Sequence, residues 1–449
     1  MLEVESWPLS SPATLSVVIP AHNAADTLQR CLERLQRSTE LPLECIVVDD
    51  GSTDDSAQIA AAFGATVLSA GTCQGPAAAR NLGARHASGD IVFFLDADVC
   101  VALDTTARVR ATFENDPTLD AMIGSYDDSP ASKDFLSQYK NLMHAFVHQH
   151  GRSEASTFWS GCGAIRRAVF LRHSGFDQTY RRPAIEDIEL GYRLRREGAR
   201  IILDPHVQVT HLKKWTFLGL LKSDIFDRGI PWTELILRDR NMPNDLNLQL
   251  SQRVSVALSY MLLAFGAACA IQWRGYFLTP LFAMLLFLVG RYWLDAARPR
   301  SWPVAAGMTV LVTAIVMLAY YDHMLGLIPA VLLGFAVLFI RHRYASREMP
   351  RRWVRRVFGM VVAGCALFTL SFVPERPLTL GFFLVLMTIV ILNNRFYIFL
   401  AAKRGRLFAV GAVPFHLLYH VYNGLSFGMG LCRYAALSIL SRARQRIAM

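Results

Sequence analysis

The chain has 449 residues, enough for two or three domains, and 53% of them are apolar. Its net charge of +10 partly reflects arginine-rich connectors between apolar runs beyond residue 245, so we do not interpret the charge as a sign of nucleic-acid binding. The eight cysteines form no CxxC pair, which argues against a zinc site and a disulfide framework and favours a reducing compartment. Residues 1–14 form an N-terminal tail without a secretory pattern, and we expect the soluble half to be cytoplasmic.

Apolar strands and helices alternate along the first 100 residues. Strands are predicted at residues 15–20, 44–50, 65–68 and 91–95. Helices are predicted between them, over 26–37 with Asp26 as the N-cap, from Asp54 or Asp55 to 63, and from Gly75 onward. This alternation predicts an α/β domain with a parallel sheet and helices on both faces.

The strand at residues 91–95 is followed at once by Asp96 and Asp98. Five apolar residues in a row indicate a strand buried on both faces, and a carboxylate pair at its end needs a partner. Ligands bind beyond the carboxyl ends of parallel strands, and a divalent cation carrying a phosphorylated substrate would satisfy both requirements. The alternative is a surface turn with two solvated aspartates.

Two further positions suit a nucleotide. Asp49 or Asp50, at the end of the second strand, can accept hydrogen bonds from a base or ribose, although either could be a turn residue. Arg80, on the third helix, could reach a diphosphate through its bidentate fork, although it could also be a surface arginine.

The next segment is less specific. We expect helices over 107–113 and 135–150, and strands over 121–126, 199–203 and 207–210. His144 and His148 lie one helical turn apart and could bind a metal, but nothing nearby completes a ligand set. A solvated or core pair is the preferred interpretation.

Residues 18–23, 47–54, 75–81 and 94–98 resemble, in this order, the successive signatures of a family 2 inverting glycosyltransferase of the GT-A fold. The resemblance implies a Rossmann-like nucleotide-diphospho-sugar transferase domain over 15–211, a nucleotide-diphosphate sugar donor and a divalent cation, Mn²⁺ or Mg²⁺. Its implied donor-binding residues are Pro20, Ala21, Asn23, Asp49, Asp50, Arg80, Asp96, Gly161 and Gly163.

The resemblance also implies roles for single residues. Asp98 is the preferred metal ligand, and Asp96 contacts ribose or metal-bound water. His211 is the candidate second ligand, because the fold often places a C-terminal histidine on the metal. Residues 185–187 resemble the family's ED pair, which makes Asp187 the catalytic base. The alternative is that these acids compensate the dipole of the helix over 186–197.

Candidates for acceptor contacts are Glu186, Arg228 and Trp232. Processive synthases of the family carry a Gln-x-x-Arg-Trp motif in the region of the latter two, and this chain has none. That absence disfavours a polysaccharide synthase with a translocating channel.

Residues 212–250 are predicted to form an amphipathic interfacial segment. Apolar residues recur there at helical spacing, and lysines lie between them. This pattern is typical of a helix in the lipid headgroup region, and packing on the domain core is the alternative. The apolar residues are Leu212, Trp215, Leu218, Leu221 and Ile225.

Residues 251–449 are predicted to form a transmembrane domain of about six α-helical spans. The candidates are residues 254–273, 276–294, 304–321, 324–340, 357–373 and 378–392. Seven of the sixteen residues in the connector 341–356 are arginine, which places that connector on the cytoplasmic side. For residues 407–440 we expect a re-entrant or surface-lying hairpin, with a seventh span as the alternative.

These features predict a membrane-bound enzyme that transfers a sugar, with inversion, onto a lipid or lipid-linked acceptor. It would act at the cytoplasmic face of a cell membrane, the inner membrane of a bacterium. The alternative outside enzymology is a transporter or scaffold with a degenerate nucleotide-sugar-binding domain. Intact acidic motifs and spans without buried charges disfavour it.

Overall fold

The computed structural model describes residues 13–272 and 377–447. The chain divides into two compact units. The first unit comprises Met1–Arg253, Phe399–Gly405 and Tyr422–Met449, and the second comprises Val254–Ile398 and Arg406–Val421.

The first unit is built on one eight-stranded sheet with strand order β3-β2-β1-β4-β7-β6-β8-β5. The strands are β1 (Leu15–Ala21), β2 (Glu44–Asp49), β3 (Thr66–Ser69), β4 (Ile91–Leu95), β5 (Val99–Val101), β6 (Ala121–Tyr126), β7 (Cys162–Arg166) and β8 (Ile201–His211). The half formed by β3, β2, β1 and β4 is parallel, as expected.

The other half of the sheet is mixed, which corrects the prediction of a parallel sheet. β7 runs antiparallel to both β4 and β6, and β5 runs antiparallel to β8. β5 was not predicted. The two strands expected over 199–203 and 207–210 are one strand, β8, whose pairing with β6 shifts register between Ile123 and Ser125. Because the pairing resumes in a new register after this irregularity, β8 continues as one long strand where two short strands were predicted.

Helices cover both faces of this sheet. They are α1 (Ala25–Gln36), α2 (Ser56–Ala62), α3 (Pro76–His86), α4 (Thr105–Asn115), α5 (Phe135–Gln149), α6 (Arg167–Arg172) and α7 (Glu186–Arg196). β4 is fully buried, with Phe93 in the core on one face and Phe94 in the core on the other. Asp26 lies in the first turn of α1, and the N-cap position belongs to Ala24, so that part of the prediction is wrong.

After β8 the chain forms α8 (Phe217–Lys222), a π-helix (Ser223–Gly229), α9 (Ile230–Asp239) and a short 3₁₀ helix (Leu246–Leu248). Of the predicted apolar face, Leu212 and Trp215 are buried and Leu218 is 76% exposed, and the position of this segment at a membrane surface stays a prediction. The helix begins only at Phe217, and its pitch widens at Ser223, so one regular spacing does not extend over the segment.

The second unit contains most of α10 (Leu250–Gln272), all of α11 (Pro377–Leu392) and part of α12 (Asn394–Arg404). Within the described residues, the stretch Leu250–Cys269 is one helix long and apolar enough to cross a membrane. Gly381–Leu392 and Asn394–Arg404 reach that length only as a pair bent by 66°. The spans predicted at 276–294, 304–321, 324–340 and 357–373 lie outside the described residues.

The last helix, α13 (Arg406–Ile447), is continuous over 42 residues and includes Pro414. The hairpin predicted for residues 407–440 is therefore wrong. The apolar residues of this stretch belong to one helix. The break lies before that helix, at Gly405, whose positive φ ends α12. Its residues from Tyr422 onward belong to the first unit.

Candidate active site

The candidate site lies where the strand order reverses. β1 pairs with β2 on one side and with β4 on the other, and all three strands are parallel. In open α/β sheets ligands bind at the carboxyl ends of the strands at such a point. Asp49 is the last residue of β2, and the loops that follow β1 and β4 carry Asn23, Asp96 and Asp98. The predicted motifs therefore lie together at the carboxyl ends of these strands.

The loops after β1 and β2 are fastened to each other through Asn23. This residue has a φ of 49°, in the left-handed region that asparagine tolerates. Its Oδ1 accepts hydrogen bonds from the backbone N–H and hydroxyl of Thr53, at 2.8 and 3.1 Å. Pro20 and Ala21 end β1 beneath this contact, half-buried and buried respectively. The predicted donor-binding loops are therefore pre-shaped by protein contacts.

Asp49 and Asp50 have different surroundings. Asp50 is 3% exposed, and its carboxylate accepts the backbone N–H groups of Gln74 and Gly75, both at 2.8 Å. It therefore holds the loop that opens α3. Asp49 is half-buried, and its Oδ1 accepts the N–H of Ser52 at 3.0 Å. Of the two aspartates, Asp49 is the better candidate for contact with a nucleotide.

Arg80 lies on α3 and is only 4% exposed. Its Nη2 donates to Asp96 at 2.6 Å and its Nη1 donates to Glu186 at 2.9 Å. Burial alone would lower the pKa of Arg80, but the two carboxylates outweigh burial and raise it. Arg80 thus joins the DxD motif to the ED pair, and its predicted contact with a diphosphate stays a prediction.

Asp98 and His211 face each other at the end of the β5–β8 pair. Val99 pairs directly with His211, and the N–H of Leu212 donates to the carbonyl of Asp98 at 2.8 Å. His211 Nε2 lies 3.5 Å from Asp98 Oδ2. The two predicted metal ligands are brought together by the short strand that sequence patterns did not reveal.

The ring of His211 is oriented by Asn141 of α5. The indole N–H of Trp215 donates to the side chain of Asn141 at 3.1 Å. An indole nitrogen can only donate, so the Asn141 atom in this contact must be the amide oxygen, Oδ1. His211 Nδ1 lies 2.8 Å from the same oxygen and therefore carries a proton. Nε2 is the nitrogen left to face Asp98. The lone pair of Nε2 and the carboxylate of Asp98 would repel each other, so either a proton or a cation must lie between them.

This pair fits a divalent cation. No cluster of three or more His, Cys, Asp or Glu side chains suited to a metal occurs in residues 13–272 and 377–447. Adjacent ligands of a six-coordinate cation lie about 3 Å apart, close to the separation of Asp98 and His211. Mg²⁺ and similar cations use few protein ligands when substrate phosphates and water supply the rest, so two side chains are enough.

Asp187 lies in the first turn of α7, half-buried. Its Oδ2 accepts the backbone N–H of Ser160 at 3.1 Å and the Ser160 hydroxyl at 3.3 Å. Burial raises the pKa of Asp187 to about 6, the negative charge of Glu186 adds to this, and the charge of Arg80 opposes it. A carboxylate with this pKa can accept a proton near neutral pH.

Gly161 and Gly163 serve different purposes. A Cβ on Gly161 would lie 2.9 Å from Asp96 Oδ2, so the missing side chain leaves room beside the DxD motif. Gly163 lies within β7, opposite Phe94, and a Cβ there would lie 2.3 Å from the carbonyl oxygen of Trp159. Packing inside the domain therefore already requires a glycine at position 163.

The acceptor candidates are spread over three environments. Glu186 is buried, and the Arg80 ion pair occupies its Oε1. Trp232 donates its indole N–H to the hydroxyl of Tyr192 at 3.1 Å and packs beside α7. Arg228 lies on the π-helix, with Nη1 3.5 Å from His144 Nε2.

A layer of aromatic and imidazole rings next to the metal pair was not predicted. Tyr126 stacks on His211 with ring centroids 4.5 Å apart and meets Trp159 at 4.7 Å. His144 and His148 complete the layer. Burial lowers the pKa of His148 to about 4 and that of His144 well below its usual value, so both imidazoles are neutral. The sequence left a solvated or a core position open for this pair, and the structure places His144 in the buried interior and leaves His148 half-buried.

Residues 16–173 match the family described as glycosyl transferase family 2. An uncharacterized glycosyltransferase of Haemophilus influenzae is 27% identical over 190 residues, which are 41% of this chain and 62% of that protein. The 4,4'-diaponeurosporenoate glycosyltransferase of Staphylococcus haemolyticus is 35% identical over 136 residues, 29% of this chain and 31% of that one.

Among solved structures, the mannosyltransferase from Pyrobaculum calidifontis in complex with GDP-Man and Mn²⁺ aligns with a TM-score of 0.37 and 20% identity. The alignment covers 73% of this chain and 88% of that one. The chain spans less than two thirds of the length of the two curated relatives named above.

Proposed function

We propose that this chain, whose residues 16–173 match glycosyl transferase family 2, transfers a sugar from a nucleotide-diphosphate donor, with inversion, onto a lipid or lipid-linked acceptor. The observation that carries the proposal is the link through Arg80, which joins Asp96 of the predicted donor motif to Glu186, the neighbour of Asp187. Donor and base groups therefore belong to one connected site.

Asp49 and Asp96 are the donor contacts of choice in this site. Asp49 is the last residue of β2 and is half-buried, and Asp96 follows β4 with its side chain 33% exposed. Both acids lie at the sheet edge, where a nucleotide and its ribose would be bound. Asp98 and His211 would hold the divalent cation, which, when bound, neutralises charge on the leaving diphosphate.

Asp187 accepts the proton in the transfer. The acceptor hydroxyl oxygen forms a bond to the anomeric carbon of the sugar, and the bond from that carbon to the diphosphate oxygen breaks. The bonding electrons leave with the diphosphate, and the hydroxyl proton moves to Asp187. A single displacement on the side opposite the leaving group inverts the configuration. Ser160 holds the carboxylate in place for this step.

An acceptor at the membrane surface is supported by the exposed residues after β8. Phe217, Leu218 and Phe226 are 41%, 76% and 55% exposed. Lys213, Lys214 and Lys222 are exposed in the same segment. Apolar side chains interleaved with lysines suit an anionic membrane surface. The arginines of residues 341–356 support a cytoplasmic position of the domain.

Turnover of a panel of UDP- and GDP-sugars by the purified full-length chain tests the proposal. Each donor is offered with Mn²⁺, with Mg²⁺ or with a chelator, and with or without a membrane lipid extract. We expect one donor to be consumed only when cation and lipid are both present, with the sugar recovered on a lipid. Absence of binding and turnover for every donor would contradict the proposal.

A further inference from the structure

Three buried polar groups meet where α5, the π-helix and α13 come together. Asp224 of the π-helix is 5% exposed. Lys140 Nζ lies 2.8 and 2.6 Å from its two carboxylate oxygens. The hydroxyl of Tyr422 donates to Oδ2 at 2.5 Å. A buried ion pair is stable only when its remaining hydrogen-bonding capacity is also used, and Tyr422 uses part of it here.

The C-terminal helix also lies in direct contact with the elements that carry Asp224. A Cβ on Gly229 would lie 2.3 Å from Ser426 Oγ. A Cβ on Gly430 would lie 2.6 Å from the Cβ of Thr233 in α9. Glycine at both positions lets the helices approach closely. The part of α13 from Tyr422 onward is therefore built into the first unit.

The same pairing of helices sets the position of Arg228. Asp224 and Arg228 are four residues apart on the π-helix, and Lys140 and His144 are four residues apart on α5. Across the two helices, Lys140 forms the ion pair with Asp224. One turn further along, His144 is in contact with Arg228 at 3.5 Å. The ion pair of Asp224 therefore fixes the position of Arg228 along the axis of α5, beside His144.

The guanidinium of Arg228 is not held in an ion pair by the described residues. It is half-buried, and no ion pair of Arg228 with an acid is formed within the described parts of the chain. Its neighbour His144 is neutral, because burial holds the pKa of that imidazole well below its usual value. A guanidinium in such surroundings is suited to an anionic group of a bound ligand, above all a phosphate.

We infer that Asp224 and Tyr422 are positioning residues that hold the π-helix so that Arg228 presents its guanidinium to a phosphate or diphosphate of the bound substrate. The inference rests on the proposed function. Arg228 also acts on the base electrostatically, because its charge lowers the pKa of Asp187 against the larger upward effect of burial. Displacing Arg228 therefore weakens substrate binding and alters the titration of Asp187.

A double-mutant cycle on the full-length chain tests this. Tyr422→Phe removes one hydrogen bond and little volume, and we expect it to lower kcat/KM about tenfold, because hydrogen bonds to charged groups are among the stronger ones. We expect the acid limb of the pH–rate profile to move upward by about half a pH unit, because the positive charge of Arg228 moves away from Asp187. In an Arg228→Gln background, Tyr422→Phe should have no further effect on either quantity.

Tyr434→Phe is the matched control, the same substitution on the same helix in the first unit, and we expect it to behave as wild type. If Lys140→Met with Asp224→Leu, an apolar replacement of the pair, folds and keeps wild-type kcat/KM, the inference is overturned. Equal effects of Tyr422→Phe with and without Arg228 would also overturn it, while leaving the proposed function intact. A wild-type chain that turns over no donor would refute the proposed function, and this inference with it.

Discussion

Arg80 and Asp96 are joined by a hydrogen-bonded ion pair of 2.6 Å, although both belong to motifs predicted to contact substrate. The other end of the same guanidinium reaches Glu186 at 2.9 Å. Two acidic motifs from distant parts of the chain therefore share one buried cation. Their mutual repulsion is offset by Arg80, and the geometry of the site depends on it.

Removing Arg80 should destabilise the fold as well as the activity. Arg80→Met leaves Glu186 buried without its cation, and we expect the free energy of unfolding to fall by about 3–5 kcal/mol, the usual effect of breaking a buried pair. Denaturant unfolding followed by tryptophan fluorescence measures this.

The control for Arg80 is Arg108→Met, which breaks the ion pair of Arg108 with Asp104. Both partners are nearly half exposed, at 46% and 47%, so we expect a change below about 1 kcal/mol. Similar losses in the two variants would show that Arg80 has no special structural role.

Asn141 should control cation affinity without touching the cation. It accepts a hydrogen bond from His211 Nδ1, and loss of such a supporting contact typically weakens metal binding about 10- to 100-fold. We expect Asn141→Ala to raise the Mn²⁺ concentration needed for half-maximal binding by that factor, measured by calorimetry or by Mn²⁺ electron paramagnetic resonance. The exposed Asn241→Ala is the control. Unchanged Mn²⁺ affinity in Asn141→Ala would exclude this role.

The sequence predicted those strands that have an apolar pattern of their own. The strands β1, β2 and β4 were predicted almost to the residue, because apolar runs bounded by turn residues are local signals. β5 was not, because three residues form no pattern and its partner β8 lies a hundred residues away. Without β5, nothing in the sequence explains why Asp98 and His211 meet.

The contacts that support the site could not be predicted for a similar reason. Arg80 and Glu186 are 106 residues apart, and Asp224 and Tyr422 are 198 apart. A charged residue on a predicted helix is normally assigned to solvent, and only the tertiary structure shows that Lys140 is buried. Its spacing to His144 and His148, four and eight residues, was the one available signal that α5 has a polar buried face.

Gly163 should be intolerant of any side chain. A Cβ at this position would lie 2.3 Å from the carbonyl oxygen of Trp159 and 2.7 Å from the Phe158 ring, so Gly163→Ala forces the chain apart inside the sheet. We expect a loss of about 1–3 kcal/mol of unfolding free energy, as for other overpacked core sites. Gly198→Ala is a useful comparison, because the space around it is open while its φ of 87° is strained. A stable Gly163→Ala variant would contradict the packing argument.

Asp187 should determine how activity depends on pH. With its pKa raised to about 6 by burial and by Glu186, the carboxylate is ionised at pH 7.5 and progressively protonated below pH 6. We expect kcat/KM to fall tenfold per pH unit below that value. Asp187→Asn should lower kcat by about 10²- to 10⁴-fold with donor affinity retained, because a base contributes to the proton transfer and not to donor binding. Asp177→Asn, in the loop before α7, is the control.

The same residue should make the fold less stable as the pH rises. The native state holds the proton of Asp187 more tightly than the unfolded chain does, since its pKa moves from 3.8 to about 6 on folding. Its contribution to stability is therefore lost between about pH 4 and pH 6, and ionised Asp187 is a cost above that range. We expect Asp187→Asn to gain up to about 3 kcal/mol of unfolding free energy relative to wild type at pH 7.5, and little at pH 4. An equal difference at both pH values would mean that Asp187 does not titrate in this range, and its assignment as the base would fail with it.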